Sequence, residues 1–178
     1  MSDPRPIGVF DSGVGGLTVL REIVRRSPSE STLYLGDNAR APYGVRSDDE
    51  VLAFSKQSLD VLAERDVKAI VIACNTSTAI ALGALRRRYD LPILGVIRPG
   101  ASAAALATRN RRVGVIATPA TIRTHAYFAA IKIRPGVSSR HAVTHINTGV
   151  AQTLFCSSSF HLLRFGHCSL MLANVYVT

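Results

Sequence analysis

The sequence predicts an α/β fold in which a parallel sheet is flanked by helices. Short apolar runs alternate with longer segments whose apolar residues recur at helical spacing, and each run ends in a polar or glycine-rich turn. Four such runs end at Phe10, Leu35, Ala73 and Ala117. Because ligands bind outside the carboxyl ends of parallel strands, these four turns are expected to build a pocket at one edge of the sheet.

The first strand, predicted at Ile7–Phe10, leads into the glycine-rich turn Asp11–Gly16 and then into a helix that continues to Arg26. The turn lacks the glycine spacing of a dinucleotide-binding loop and the Gly-Lys-Ser/Thr of a phosphate-binding loop. Its backbone N–H groups, next to a helix N-terminus, suit a small anion such as a carboxylate. A tight turn that needs positive φ is the structural alternative, and the adjacent Asp11 and Ser12 favour a site.

The second strand, predicted at Thr32–Leu35, is followed by a long loop that contains Pro42-Tyr43-Gly44. Such a tripeptide by itself is more often a turn than a site. Beyond the loop, Ser47 and Glu50 have the spacing of a capping box, which predicts the start of a helix.

Five apolar residues at 69–73 predict a third strand that is buried on both faces. Ser77 or Thr78 is expected to cap the following helix, which continues to Arg88. Beyond it, the sequence predicts a strand at 93–97, a short helix at 99–108 and a strand at 113–117. Thr118-Pro119 then opens another helix, because proline suits its first turn.

Cys74 stands where the third strand ends and is followed by Asn75 and Thr76. A cysteine at such a position is often only a small buried hydrophobe. The amide and hydroxyl groups of Asn75 and Thr76 are not needed to pack a buried strand end, so they favour a chemical role for Cys74. A nearby helix N-terminus would favour the thiolate, which makes Cys74 a candidate for proton transfer.

Charge is distributed unevenly along the 178 residues, whose formal net charge is +9. Residues 91–178 contain nine Lys and Arg, all five His, and no Asp or Glu. Such an excess of positive charge normally indicates a nucleic-acid partner. The first ninety residues are balanced, however, and Arg86-Arg87-Arg88 suits a helix C-terminus. Nucleic acid is therefore not expected, although a non-catalytic basic binding remnant stays open as an alternative.

Three widely spaced cysteines do not form a disulfide framework. The start of the chain does not have the pattern of a signal peptide, and no segment is apolar for long enough to span a membrane. A reducing cytoplasm is the expected compartment. No metal is expected either, because the spacings of Cys156, His161, His167 and Cys168 match no familiar zinc pattern.

Four stretches together resemble the aspartate/glutamate racemase superfamily, and within it the glutamate racemases, from Ile7 to about Ile131. They are 8–17 (GVFDSGVGGL), 34–37 with 42–44 (YLGD and PYG), 73–76 (ACNT), and 117–122 with 125–127 (ATPATI and HAY). The resemblance implies the first domain of a two-domain racemase fold with an incomplete second domain. The expected domains are 1–97, with the first catalytic cysteine, and 98–178, of which 132–178 has no predicted structure.

The resemblance implies inversion of L-glutamate to D-glutamate without a cofactor, for peptidoglycan precursors, by two opposed thiols. Cys74 would be the first of these thiols, and Asp11 would assist its proton transfers. The residues implied to hold the substrate are Asp11, Ser12, Pro42, Tyr43, Gly44, Asn75 and Thr76. Thr118 and Thr121 are implied as further contacts, and a homodimer is left open.

The chain departs from the family pattern in its last part. The second cysteine of the family lies in a Gly-Cys-Thr-His motif that this sequence lacks, and neither Cys156 nor Cys168 matches it. We therefore expect the last forty-odd residues not to be racemase sequence. A racemase of aspartate or of another acidic amino acid remains the alternative substrate assignment.

Overall fold

Four parallel strands form the first sheet, in the order β2-β1-β3-β4. They are β1 (Ile7–Asp11), β2 (Thr32–Gly36), β3 (Ala69–Ile72) and β4 (Ile93–Gly95). β1 lies in the middle, so that Phe10 pairs with Leu35 on one side and with Ile72 on the other. The predicted α/β fold with a parallel sheet is confirmed.

The computed structural model describes residues 3–108, 112–132, 138–139, 162–165 and 168–172. The chain divides into two compact units, Met1–Val96 and Ile97–Thr178.

Three helices belong to the first unit. They are α1 (Leu17–Arg26), α2 (Asp48–Glu64) and α3 (Asn75–Arg88), with a single 3-10 turn at Tyr43–Val45. The predicted capping box of α2 is present: the Glu50 amide donates to Ser47 Oγ at 3.3 Å, and the Ser47 amide donates to Glu50 Oε2 at 2.9 Å.

The core of the first unit lies between the sheet and helices α2 and α3. Its fully buried side chains include Phe10, Ile70 and Ile72 from the sheet, Leu59 from α2 and Leu85 from α3.

Helix α1 is different, because none of its residues is fully buried. Leu17 and Val24, which are seven residues apart and so lie on one face of α1, are 46% and 45% exposed. The apolar residues of α1 are thus only partly covered.

The second unit begins with α4 (Ile97–Ala107), β5 (Arg112–Ile116), α5 (Pro119–Arg123) and α6 (Ala126–Lys132). The strand predicted at 93–97 is shorter than expected, because the backbone enters helix α4 at Ile97 rather than at Pro99.

Three more strands of the second unit, β6 (Ser138–Ser139), β7 (Leu162–Phe165) and β8 (Cys168–Leu172), lie where the sequence predicts no element. Among the described strands of this unit the order is β6-β5-β8-β7, with β5 parallel to β6 and β8, and β7 antiparallel to β8.

Candidate active site

The carboxyl ends of β1, β2 and β3 meet at one edge of the first sheet, as the sequence predicts. The prediction that the turn after Ala117 shares this edge is wrong, because the strand before it, β5, belongs to the second sheet. Two backbone hydrogen bonds continue the sheet past its last residues: the Ala73 amide donates to the Phe10 carbonyl at 2.7 Å, and the Asp37 amide donates to the Asp11 carbonyl at 2.9 Å. The segments that follow the three strands, including Ser12 and Cys74, are therefore held side by side.

Cys74 is itself the N-cap of α3, so the prediction that Ser77 or Thr78 caps this helix is wrong. The helix begins at Asn75, and the sulfur accepts a hydrogen bond from the Ser77 amide at 3.4 Å. Ser12 Oγ lies 3.2 Å from the same sulfur. Although Cys74 is fully buried, its thiol is thus in contact with polar groups rather than with hydrocarbon alone.

The first turn of α3 is polar and buried. Asn75, Thr76, Ser77 and Thr78 are all 6% exposed or less. Buried polar groups of this kind are hydrogen-bonded in native proteins, and Ser77 Oγ accepts from Ser55 Oγ of α2 at 3.0 Å. Ser55 was not predicted as part of this region, because a lone serine on a helix gives no signal of its position in space.

Asp11 is the second predicted catalytic residue, and its side chain is fully buried. Its Oδ2 accepts hydrogen bonds from the amides of Gly13 at 3.1 Å and Gly16 at 3.0 Å. Oδ1 has no hydrogen-bond partner among the residues that the structure describes. Burial raises the pKa of Asp11 above its ordinary value, and the surrounding backbone amides oppose that rise.

At Gly16 the turn requires glycine because of a close approach and not because of positive φ. Its φ is −65°. A Cβ at this position would lie 2.5 Å from the Asp11 Cβ and 2.9 Å from the Ala73 Cβ. Only glycine therefore lets the start of α1 pack against the ends of β1 and β3.

The loop after β2 contributes the predicted residues Pro42, Tyr43 and Gly44. Tyr43 is fully buried and Gly44 is buried as well. The Tyr43 hydroxyl donates a hydrogen bond to the Asp37 carboxylate, and both burial and that hydrogen bond raise the tyrosine pKa. The Tyr43 hydroxyl thus has its hydrogen-bond partner within the first unit.

Thr118 and Thr121 lie in the second unit, at the start of α5. Thr118 caps this helix by accepting a hydrogen bond from the Thr121 amide at 3.4 Å, and the two hydroxyl oxygens are 3.0 Å apart. The predicted helix start at Thr118-Pro119 is confirmed.

Within the described part of the chain, no three His, Cys, Asp or Glu side chains are grouped so that they could hold a metal ion. Cys156, His161 and His167 lie outside the described residues, and Cys168 begins β8. Among the described helices, none has the length and apolar composition needed to cross a bilayer.

In open α/β sheets, ligands bind outside the carboxyl ends of the strands, which is where the Cys74 thiol and the Asp11 carboxyl lie. The chain belongs to the Asp/Glu/hydantoin racemase family, whose model matches residues 7–158. This match continues past Ile131, where the resemblance in the sequence ended, so part of the tail lies within the family's range.

Within this family the chain is similar to glutamate racemases. It is 57% identical to the glutamate racemase of Trichormus variabilis over 133 residues, which are 74% of this chain and 45% of that protein. A solved glutamate racemase from Bacillus anthracis matches with a TM-score of 0.74 and 44% identity, over 77% of this chain and 52% of that one. Another, from Francisella tularensis in complex with D-glutamate, matches with a TM-score of 0.70 and 42% identity, over 79% and 53%.

The chain spans about half the length of the curated relatives that it matches.

Proposed function

We propose that this chain carries the first proton-transfer group of a glutamate racemase, with the Cys74 sulfur acting on the α-carbon of glutamate. The observation that supports it most is the position of the thiol at the carboxyl end of β3, where it caps α3 and lies 3.2 Å from Ser12 Oγ. The similarity to curated glutamate racemases, at 50–57% identity, indicates glutamate as the substrate.

The chemistry follows from the groups around the sulfur. Inversion removes the α-proton from one face of the amino acid and delivers a proton to the other. The Cys74 sulfur, which accepts from the Ser77 amide and lies 3.2 Å from Ser12 Oγ, would act as the base for this proton. On return of the proton, the same sulfur would act as the acid.

Asp11, which directly precedes Ser12 in the chain, would assist this proton transfer. Because burial raises its pKa, the carboxyl can hold or release a proton closer to neutral pH than an exposed aspartate does. Oδ1, which has no partner within the described part of the chain, offers an acceptor that the α-ammonium group of an amino acid would satisfy.

Ser12, Pro42, Gly44, Asn75 and Thr76 of the first unit are proposed to hold the charged groups of the substrate. Tyr43 is proposed to take part in the same site. A cytoplasmic location, a role in peptidoglycan precursor synthesis, independence of cofactors and a homodimer are expectations from the sequence that belong to this proposal.

One matched catalytic cysteine, Cys74, predicts exchange without full inversion, because the family's second cysteine motif does not occur in these 178 residues. The test is incubation of each glutamate isomer with the chain in deuterated water, followed by mass spectrometry and chiral chromatography. We expect deuterium at the α-carbon of one isomer and little conversion to the other. Label in neither isomer would contradict the proposal, whereas faster labelling of aspartate than of glutamate would favour the aspartate assignment.

A further inference from the structure

Asp37 lies beside the candidate site but was not among the predicted site residues. It follows β2 directly, and its amide donates to the carbonyl of Asp11 at 2.9 Å. Its side chain is only 8% exposed. A buried carboxylate at a strand end needs a local reason, because charged groups are seldom buried unless they are paired.

Two side chains of the following loop provide that pairing. The Tyr43 hydroxyl donates to Asp37 Oδ2. The guanidinium of Arg40 lies against the same oxygen, with Nε at 2.6 Å. One carboxylate oxygen thus ties together both ends of the loop segment from Asp37 to Tyr43.

Aromatic rings hold the other side of this cluster. The Arg40 guanidinium carbon lies 4.5 Å from the centre of the Phe54 ring. Tyr43 packs between Phe54 and Phe10, with ring centroids 5.6 Å and 6.4 Å away. The tyrosine ring is therefore fixed between α2 and β1, while its hydroxyl donates to Asp37 and the residue is fully buried.

We propose that Asp37 is a positioning residue, which fixes the Pro42–Gly44 turn through the Tyr43 hydroxyl so that the turn offers its backbone, and not that hydroxyl, to the substrate. The statement that the turn contacts the substrate rests on the proposed function. The alternative is that the Tyr43 hydroxyl itself contacts the substrate.

A second cluster of the same residue types lies at the C-terminal end of α3 and serves as a control for the Asp37 cluster. Tyr89, the C-cap of α3, donates its hydroxyl to Asp60 Oδ1 at 2.6 Å. Arg88 pairs with the same oxygen at 3.1 Å and lies 5.4 Å from the centre of the Tyr89 ring. This second Tyr–Asp–Arg cluster has the same chemistry but belongs to the opposite end of the helix from Cys74.

The test is amide hydrogen exchange in the full chain, read at residues 43–46 by mass spectrometry. Asp37→Ala and Tyr43→Phe should each raise the exchange rate there about tenfold or more, since each removes one side of the same contact. The double variant should be no faster than the faster single variant. Asp60→Ala and Tyr89→Phe should leave exchange at residues 43–46 unchanged.

Glutamate affinity, measured by calorimetry on the same variants, separates the inference from the proposed function. Weaker glutamate binding in both Asp37→Ala and Tyr43→Phe, with Tyr89→Phe unchanged, is expected. Exchange at residues 43–46 that stays at the wild-type rate in both variants would overturn the positioning role, as would a loss of affinity in Tyr43→Phe alone. A wild-type chain that binds no glutamate contradicts the proposed function, while the exchange rates still decide the role of Asp37.

Discussion

Asp11 combines full burial with a carboxyl oxygen that has no hydrogen-bond partner among the described residues. Such an arrangement lowers the stability of the folded chain whenever the group is ionised. It is therefore a feature that stability alone does not explain, and it marks Asp11 as a candidate for function.

The stability effect of Asp11 has a defined dependence on pH. Below the ordinary pKa of 3.8, Asp11 is protonated in both the folded and the unfolded chain, so its ionisation does not change the free energy of unfolding. As the pH rises, the unfolded chain ionises first, and the free energy of unfolding falls until the pH passes the raised pKa of the folded state.

We therefore expect Asp11→Asn to be more stable than the wild type at pH 7, with a difference that disappears as the pH approaches 4. The amide oxygen can still accept from the Gly13 and Gly16 amides. Urea unfolding of both proteins at several pH values measures this. A variant that is less stable than the wild type at neutral pH would show that the carboxylate is stabilising after all.

At the scale of the element, the Asp11–Gly16 turn depends on the absence of a side chain at Gly16. Gly16→Ala should lower the free energy of unfolding by about 1–3 kcal/mol, the usual effect of overpacking, because the new methyl group would collide with Asp11 and Ala73. The measurement is again urea unfolding.

Gly83 provides the control for that substitution. It lies inside α3, and a Cβ there would meet only Arg87 Nη1 at 3.7 Å. Gly83→Ala should therefore raise stability by about 0.5–1 kcal/mol, as is usual for glycine in a helix. Equal effects at the two positions would contradict the close packing inferred at Gly16.

The strands and helices of the first unit were predictable because each has a strong local signal. The apolar run before Cys74 and the capping box at Ser47 are examples, and both lie where the sequence indicates, although only alternate residues of β3 are fully buried. The start of α3 was predicted too late, since sequence rules for helix caps favour Ser and Thr and do not anticipate a cysteine sulfur.

Other features depend on contacts that no local pattern encodes. Ser55 reaches Ser77 across 22 positions of the chain, and the Asp37 carboxylate is in contact with Tyr43 and Arg40 of the following loop. Strands β7 and β8 are short and pair antiparallel in a sheet that is otherwise parallel, so neither a strand period nor a βαβ spacing reveals them.

At the scale of the whole molecule, the sheet of the first unit is covered unequally. Parallel sheets are normally buried on both faces, and α2 and α3 bury the core residues of this one. Leu17 and Val24 on α1 and Leu94 on β4 remain 46%, 45% and 52% exposed. Exposed apolar residues of this kind favour association between chains.

We expect Val24→Lys to reduce aggregation, measured by light scattering at rising protein concentration, because it places a charge on the exposed face of α1. Its free energy of unfolding should stay within about 0.5 kcal/mol of the wild type, as for most surface substitutions. Val61→Lys on α2, where valine is 41% exposed, is the control and should change aggregation less. Aggregation that is unchanged by Val24→Lys would show that this face does not drive association.

The central claim is that one sulfur atom, Cys74 Sγ, accepts the proton that is removed from the α-carbon of glutamate. Cys74→Ser tests it cleanly, because serine is a preferred N-cap and should preserve the start of α3 while removing the thiol. The decisive measurement is the rate of deuterium uptake at the α-carbon of glutamate by Cys74→Ser and wild type, at equal thermal stability. We predict that the rate falls about 100-fold or more in the variant; uptake at the wild-type rate would contradict the claim.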